Sequence, residues 1–83
     1  MAFHVYIIFS AKLNKYYVGY TGNLDTRLLQ HNGGISTFTA KANDWVMQHS
    51  EPFPTREDAH KREMEIKGKK SRKYIEWLIS SAG

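Results

Sequence analysis

Glu63 stands where an aliphatic residue would be expected. The segment from Arg56 to Lys67 is rich in strong helix formers. In a helix Ala59, Glu63 and Ile66 fall at i, i+4 and i+7, on one face. A carboxylate on such a face costs several kcal/mol or more to bury unless a cation or a metal ion meets it. The other acids of the segment, Glu57, Asp58 and Glu65, lie at the cap or off the stripe, where solvent receives them. Arg27 and His31 form a second group: one helical turn apart, they project in the same direction and would share one pocket. Tyr6 and Tyr17 sit in strand-like runs. Taken singly, each residue has an ordinary explanation: a salt bridge from Glu63 to Lys67 or Arg27, an exposed helix edge for Arg27 and His31, simple packing for the tyrosines. Taken together, a carboxylate, an arginine, a histidine and two tyrosines are the inventory that phosphoryl transfer requires.

The elements that must position these groups are legible from periodicity. From Phe3 to Ser10 both alternating sets are largely apolar, which predicts a strand covered on two faces and central in its sheet. Ala11 to Lys15 is a polar break with Asn14 as its turn former, and Tyr16 to Thr21 is aromatic and β-branched, so the pair reads as a hairpin. Gly22 and Asn23 end the second strand. Asn23 then caps a helix from Leu24 to about His31, with Asp25 in its first turn, Leu24 and Leu28 as its buried stripe and Asn32-Gly33-Gly34 as its stop. Gly33 to Asp44 reads as a surface loop, and Trp45 to Ser50 as a third strand closed by Pro52 and Pro54. Thr55-Arg56-Glu57-Asp58 resembles a capping box for the glutamate helix, which Gly68 ends. Ser71 caps a last helix with Tyr74, Ile75, Leu78 and Ile79 on its apolar face. The order β-β-α-β-α-α makes the fold class α+β.

At 83 residues the chain has room for one domain, spanning 1–83, and one modest core. It has no cysteine, so neither disulfides nor a thiolate zinc site can support that core. Twelve Lys and Arg against eight Asp and Glu leave a net charge of +4, which favours a polyanionic partner through counterion release. Five of the seven positions from Lys67 to Lys73 are basic, so Lys67, Lys69, Lys70, Arg72 and Lys73, with Lys41, are the candidate nucleic-acid contacts. The opening residues lack the features of a signal peptide and no run is long enough to span a bilayer, so a cytoplasmic protein with no membrane partner is expected.

With those residues in place the chain resembles the GIY-YIG nucleases. His4-Val5-Tyr6 stands in the place of the GIY element and Tyr17-Val18-Gly19 in that of the YIG element. Arg27 with His31 resembles the family's Arg-x-x-x-His helix. Arg62-Glu63 with Ile66-Lys67 resembles its glutamate helix, and Ser71-Arg72-Lys73 before an apolar helix is similar to the ending of small stand-alone members. The chain is likewise similar to the N-terminal nuclease domain found in the excision-repair nuclease and to GIY-YIG homing endonucleases. It departs from the pattern at His4, which replaces a glycine, and mildly at Val5 and Val18, which replace isoleucines.

The resemblance implies a three-stranded antiparallel sheet flanked by three helices. It also implies a metal-dependent endonuclease acting on DNA, in repair or recombination, with no organic cofactor. Glu63 would hold one Mg²⁺ or Mn²⁺. Tyr17 would act as general base, Arg27 would stabilise charge on the phosphate, and His31 and Tyr6 would assist by hydrogen bonding. The products would be a 5′-phosphate and a 3′-hydroxyl. The alternatives are a catalytically silent nucleic-acid-binding module of the same fold, for which His4 speaks, and a protein-interaction domain.

Overall fold

Among the described residues the strands and α-helices follow the order β-β-α-β-α-α that the sequence pattern predicts, with one short 3-10 turn in the expected loop. The computed structural model describes residues 2–34 and 39–81. Strands β1 (Phe3–Ser10) and β2 (Lys15–Thr21) form the hairpin, α1 spans Leu24–Asn32, and a single 3-10 turn occupies Thr39–Lys41. Strand β3 (Trp45–Phe53) precedes helices α2 (Arg56–Gly68) and α3 (Arg72–Ser81). The sheet is antiparallel in the order β2-β1-β3, so β1 is central, as its doubly apolar pattern demands.

The two faces of β1 build two separate cores. Val5 and Ile7 pack with Val18, Ala59, Ile66 and Leu78, beneath α2 and α3. Tyr6 and Ile8 pack with Ala42 and Trp45, flanked by Tyr17, Leu24 and Leu28, beneath α1. All four expected positions of α3 (Tyr74, Ile75, Leu78 and Ile79) join the first core. The buried residues of α2 are Ala59, Glu63 and Ile66, the stripe that helical spacing singles out.

Local side chains set the boundaries. Asn14 adopts a left-handed backbone (φ 53°) in the hairpin turn, a conformation asparagine tolerates better than most. Asn23 accepts a hydrogen bond from the Thr26 amide at 3.1 Å, Thr55 accepts one from Asp58 at 3.2 Å, and Ser71 accepts one from Tyr74 at 3.2 Å, capping the three helices. The left-handed residue after α1 is Gly34 (φ 80°), and Gly33 remains right-handed.

Three expectations require correction. Leu24 and Leu28 are only partly buried, and the fully buried residue of α1 is His31, because its imidazole has polar partners inside. Strand β3 does not close before Pro52: it runs to Phe53, with Pro52 paired to His4, since an edge strand can turn a missing donor to solvent. The expected surface loop Gly33 to Asp44 falls partly on positions 35–38, outside the described residues, while Thr39 and Ala42 are buried rather than on the surface. Opposite Ile7 and Ile8 the β3 register slips by one residue, leaving Gln48 as a bulge. No helix among the described residues is long and apolar enough to cross a membrane.

Candidate active site

The site begins with a close approach between strands. Tyr6 of β1 lies directly opposite Gly19 of β2, and Ile8 opposite Tyr17, so both tyrosines share the face that α1 covers. A methyl group on Gly19 would lie 2.6 Å from the Tyr6 Oη, 2.8 Å from its Cζ and 3.2 Å from the Tyr17 Cε1. The Tyr6 ring occupies the volume that any other residue at position 19 would fill, which gives the glycine of Tyr17-Val18-Gly19 a steric reason. The strand passes through His4 in unbroken register, paired with Thr21 and Pro52, so the histidine does not disrupt it. Its Nδ1 is buried without a hydrogen-bond partner among the described residues.

Arg27 and His31 do share one pocket, and they meet on the same atom. The Arg27 Nε donates to the Tyr6 Oη at 3.4 Å, and the same oxygen lies 2.7 Å from the His31 Nε2. The His31 Nδ1 lies 2.7 Å from the Thr39 Oγ1. Arginine can only donate, so the network assigns its own direction: Tyr6 O–H donates to Nε2, and the Nδ1–H tautomer of His31 donates to Thr39. Burial pushes the Tyr6 phenol up to about 12, partly offset by the hydrogen bond and charge of Arg27. Burial, with the Arg27 charge added, pushes the His31 imidazole down to about 4. Arg27 is raised further above its ordinary value, chiefly by the Tyr6 hydrogen bond. At neutral pH Tyr6 is therefore a protonated donor and His31 a neutral acceptor.

Tyr17 and Glu63 approach this centre from other elements. The Tyr17 ring stands edge-on to His31, centroids 4.9 Å apart, and 6.4 Å from the Tyr6 ring. Lys67 connects the two: its Nζ lies 3.2 Å from the Glu63 Oε2 and 5.6 Å from the centre of the Tyr17 ring. The other carboxylate oxygen of Glu63 lies 3.8 Å from the Nε2 of exposed His60. Glu63 is also close enough to Tyr6 for its charge to help raise that phenol. Tyr6, Tyr17, Arg27 and His31 thus meet on the face that α1 covers, and Glu63 of α2 is linked to Tyr17 through Lys67.

The donor set fits a hard divalent cation. Glu63 is 8% exposed, and its carboxylate meets cationic or ionisable side chains, Lys67 and His60. Among the described residues no three His, Cys, Asp or Glu side chains cluster to form a closed cage. One carboxylate with water and phosphate oxygens suits Mg²⁺ or Mn²⁺, which retain several waters.

The basic residues divide by what they touch. A groove of about 530 Å³ opens between β2 and the α2–α3 junction, with Lys67, Lys70 and Arg72 in its walls and Tyr17 as the one candidate catalytic residue that lines it. Arg72 is held there, its guanidinium donating to the Asn14 carbonyl and side chain at 2.8 Å each and lying over the Tyr16 ring. Lys69 lies over the Tyr74 ring, and Lys41 and Lys73 are exposed. Lys70 takes a left-handed backbone (φ 49°).

Sequence reasoning missed Thr39, fully buried as the hydrogen-bond partner of His31, and the reason for Gly19. It read Asn32 only as a stop, whereas the Asn32 amide binds the main-chain N–H and C=O of Trp45 at 2.7 and 3.0 Å and ties α1 to β3. The signal for Thr39 was slight: hydroxyl residues between a helix stop and a tryptophan.

Comparison with known proteins identifies the family. Residues 2–75 match the family described as the GIY-YIG catalytic domain. The chain is 37% identical to a UPF0213 protein of Staphylococcus haemolyticus over 68 residues, covering 81% of this chain and 83% of that one. It is 36% identical to a UPF0213 protein of Enterococcus faecalis over 81 residues, covering 94% and 91%. The solution NMR structure of a UPF0213 protein from Bacillus halodurans superposes with a TM-score of 0.62 at 31% identity, covering all of this chain and 87% of the other.

Proposed function

The chain belongs to the GIY-YIG catalytic domain family, and on that premise we propose that it hydrolyses phosphodiester bonds of DNA using one divalent metal ion held by Glu63. The observation that carries the proposal is the meeting of Arg27 and His31 on the buried Tyr6 hydroxyl, with Tyr17 against the same imidazole and Glu63 one lysine away. Glu63 would hold the Mg²⁺ or Mn²⁺, which would supply positive charge to the scissile phosphate. Tyr17, acting as the phenolate, takes the proton of the attacking water and becomes the phenol. This role falls to it rather than to Tyr6, whose phenol is held protonated up to about 12 and faces inward to His31. Tyr6 and His31 orient Arg27, whose planar guanidinium stabilises the charge that grows on the phosphate. The net charge of +4 and the lysines along the groove favour a polyanionic strand without reading its sequence.

The test is nicking of supercoiled plasmid and branched DNA by purified protein, with Mg²⁺ or Mn²⁺ and with chelator. Nicking should need metal and vanish in Glu63→Ala and Tyr17→Phe, while DNA binding persists in Tyr17→Phe. Undiminished nicking by Glu63→Ala, or salt-sensitive DNA binding with no cleavage in either metal, would overturn the proposal, the latter in favour of a silent binding module.

A further inference from the structure

Glu63 already has a cation on it. Glu63 is 8% exposed as a residue, and Lys67, one turn along the same helix, places Nζ at 3.2 Å from its Oε2. The two partners differ in freedom: the Glu63 side chain is 11% exposed and packed, whereas that of Lys67 is 46% exposed. An ammonium on a flexible four-carbon stem can leave such a contact and stay hydrated, while the acid it neutralises stays where it is. The ammonium also lies over the face of Tyr17. One lysine therefore touches both the metal-binding acid and the base of the proposed reaction.

We propose that Lys67 is a tethered competitor for divalent metal, occupying the Glu63 carboxylate until metal or substrate draws it off. The inference rests on the reading of Glu63 as the metal-binding group. A divalent ion bound to Oε2 and an ammonium at hydrogen-bond distance from the same oxygen repel each other, so one leaves when the other arrives. The displaced ammonium remains in the groove wall beside Lys70 and Arg72, where a backbone phosphate can accept it. A strand in the groove and a metal on Glu63 then favour one another, and by linkage each tightens the other to the same degree. Free protein is thereby disfavoured from holding metal without a nucleic acid to cut.

The measurement is Mn²⁺ affinity, read by the paramagnetic resonance of free Mn²⁺ in solutions without DNA. Wild type, Lys67→Met, Lys67→Arg and Glu63→Gln are compared, each first shown to melt cooperatively. Lys67→Met should bind Mn²⁺ about tenfold more tightly than wild type, Lys67→Arg should stay near wild type, and Glu63→Gln should bind weakly. A short single-stranded oligonucleotide, added with the reaction held at low temperature, should tighten Mn²⁺ binding in wild type and much less in Lys67→Met. Affinity in Lys67→Met equal to or below wild type would overturn the competition while leaving Glu63 as the metal site. Affinity unaffected by Glu63→Gln would overturn both readings.

Discussion

Replacing Gly19 by alanine adds only a methyl group, yet the structure places it inside another side chain. The new carbon would lie 2.6 Å from the Tyr6 Oη and 2.8 Å from its Cζ, against an ordinary contact of roughly 3.5–4.0 Å. The tyrosine must withdraw by about 1 Å to restore that separation, and it is 1% exposed in a filled core. Withdrawal stretches the 2.7 Å hydrogen bond to His31, leaving a buried imidazole nitrogen without its donor. Overpacking costs about 1–3 kcal/mol and the orphaned buried acceptor about 1–3 kcal/mol more. Urea unfolding of Gly19→Ala should therefore show a loss of roughly 2–6 kcal/mol, with nicking reduced in protein that remains folded. A double-mutant cycle with Tyr6→Phe isolates the cause, because deleting Oη removes the closest contact. The two substitutions should couple by more than about 0.5 kcal/mol. A Gly19→Ala protein as stable as wild type, or one whose loss is the same in the Tyr6→Phe background, would refute the steric account of this glycine.

His31 should make stability depend on acid. Its folded value is pushed down to about 4 from an ordinary 6.5, so between those limits the unfolded chain binds a proton that the folded one refuses. Stability should fall as pH drops from about 6.5 toward 4, level off below, and be unaffected by this group above 6.5, a loss of about 3 kcal/mol in all. Wild type should lose about 2–3 kcal/mol more than His31→Gln between pH 7 and pH 4.5, and a His31 ring that titrates near 6.5 by NMR would contradict this. On the other face of the sheet, Arg62 holds Glu51 through contacts of 2.8 and 3.2 Å and also meets Tyr74 and Glu65. Arg62→Met should cost roughly 2–4 kcal/mol in urea unfolding at pH 7, since it leaves a half-buried carboxylate to its weaker partner, His49. Arg62 hydrogen bonds chiefly hold the Glu51 carboxyl below its ordinary range, so this stabilisation is present above that range and lost as pH falls through the lowered value. The penalty of Arg62→Met should accordingly shrink in acid, and a penalty independent of pH would argue against the pair.

What the sequence revealed follows from the range over which each interaction acts. Helical spacing relates residues within a turn or two, and it placed Ala59, Glu63 and Ile66 on the buried stripe and Arg27 beside His31. Strand alternation identified β1 as central because both of its faces are apolar. Neither period carries information across the chain. Tyr6 meets His31 twenty-five positions away, and Thr39 enters from a segment with no period at all. Composition misled in the same region, where small polar residues read as surface although Thr39 is fully buried. Pro52 was read as a stop because propensity treats all strands alike, whereas an edge strand accepts it. The buried polar residue is thus the element of this site that local rules place least well. A leucine is buried by its own transfer energy, but His31 is buried only because Tyr6 and Thr39 have already been brought to meet its two nitrogens. Removing the Thr39 acceptor should then expose the dependence: the buried Nδ1–H would be left unpaired, at a cost of about 1–3 kcal/mol in urea unfolding. Thr39→Val, which keeps the shape and deletes the acceptor, makes that loss measurable at a residue outside the reacting centre, and a variant as stable as wild type would argue against the pairing.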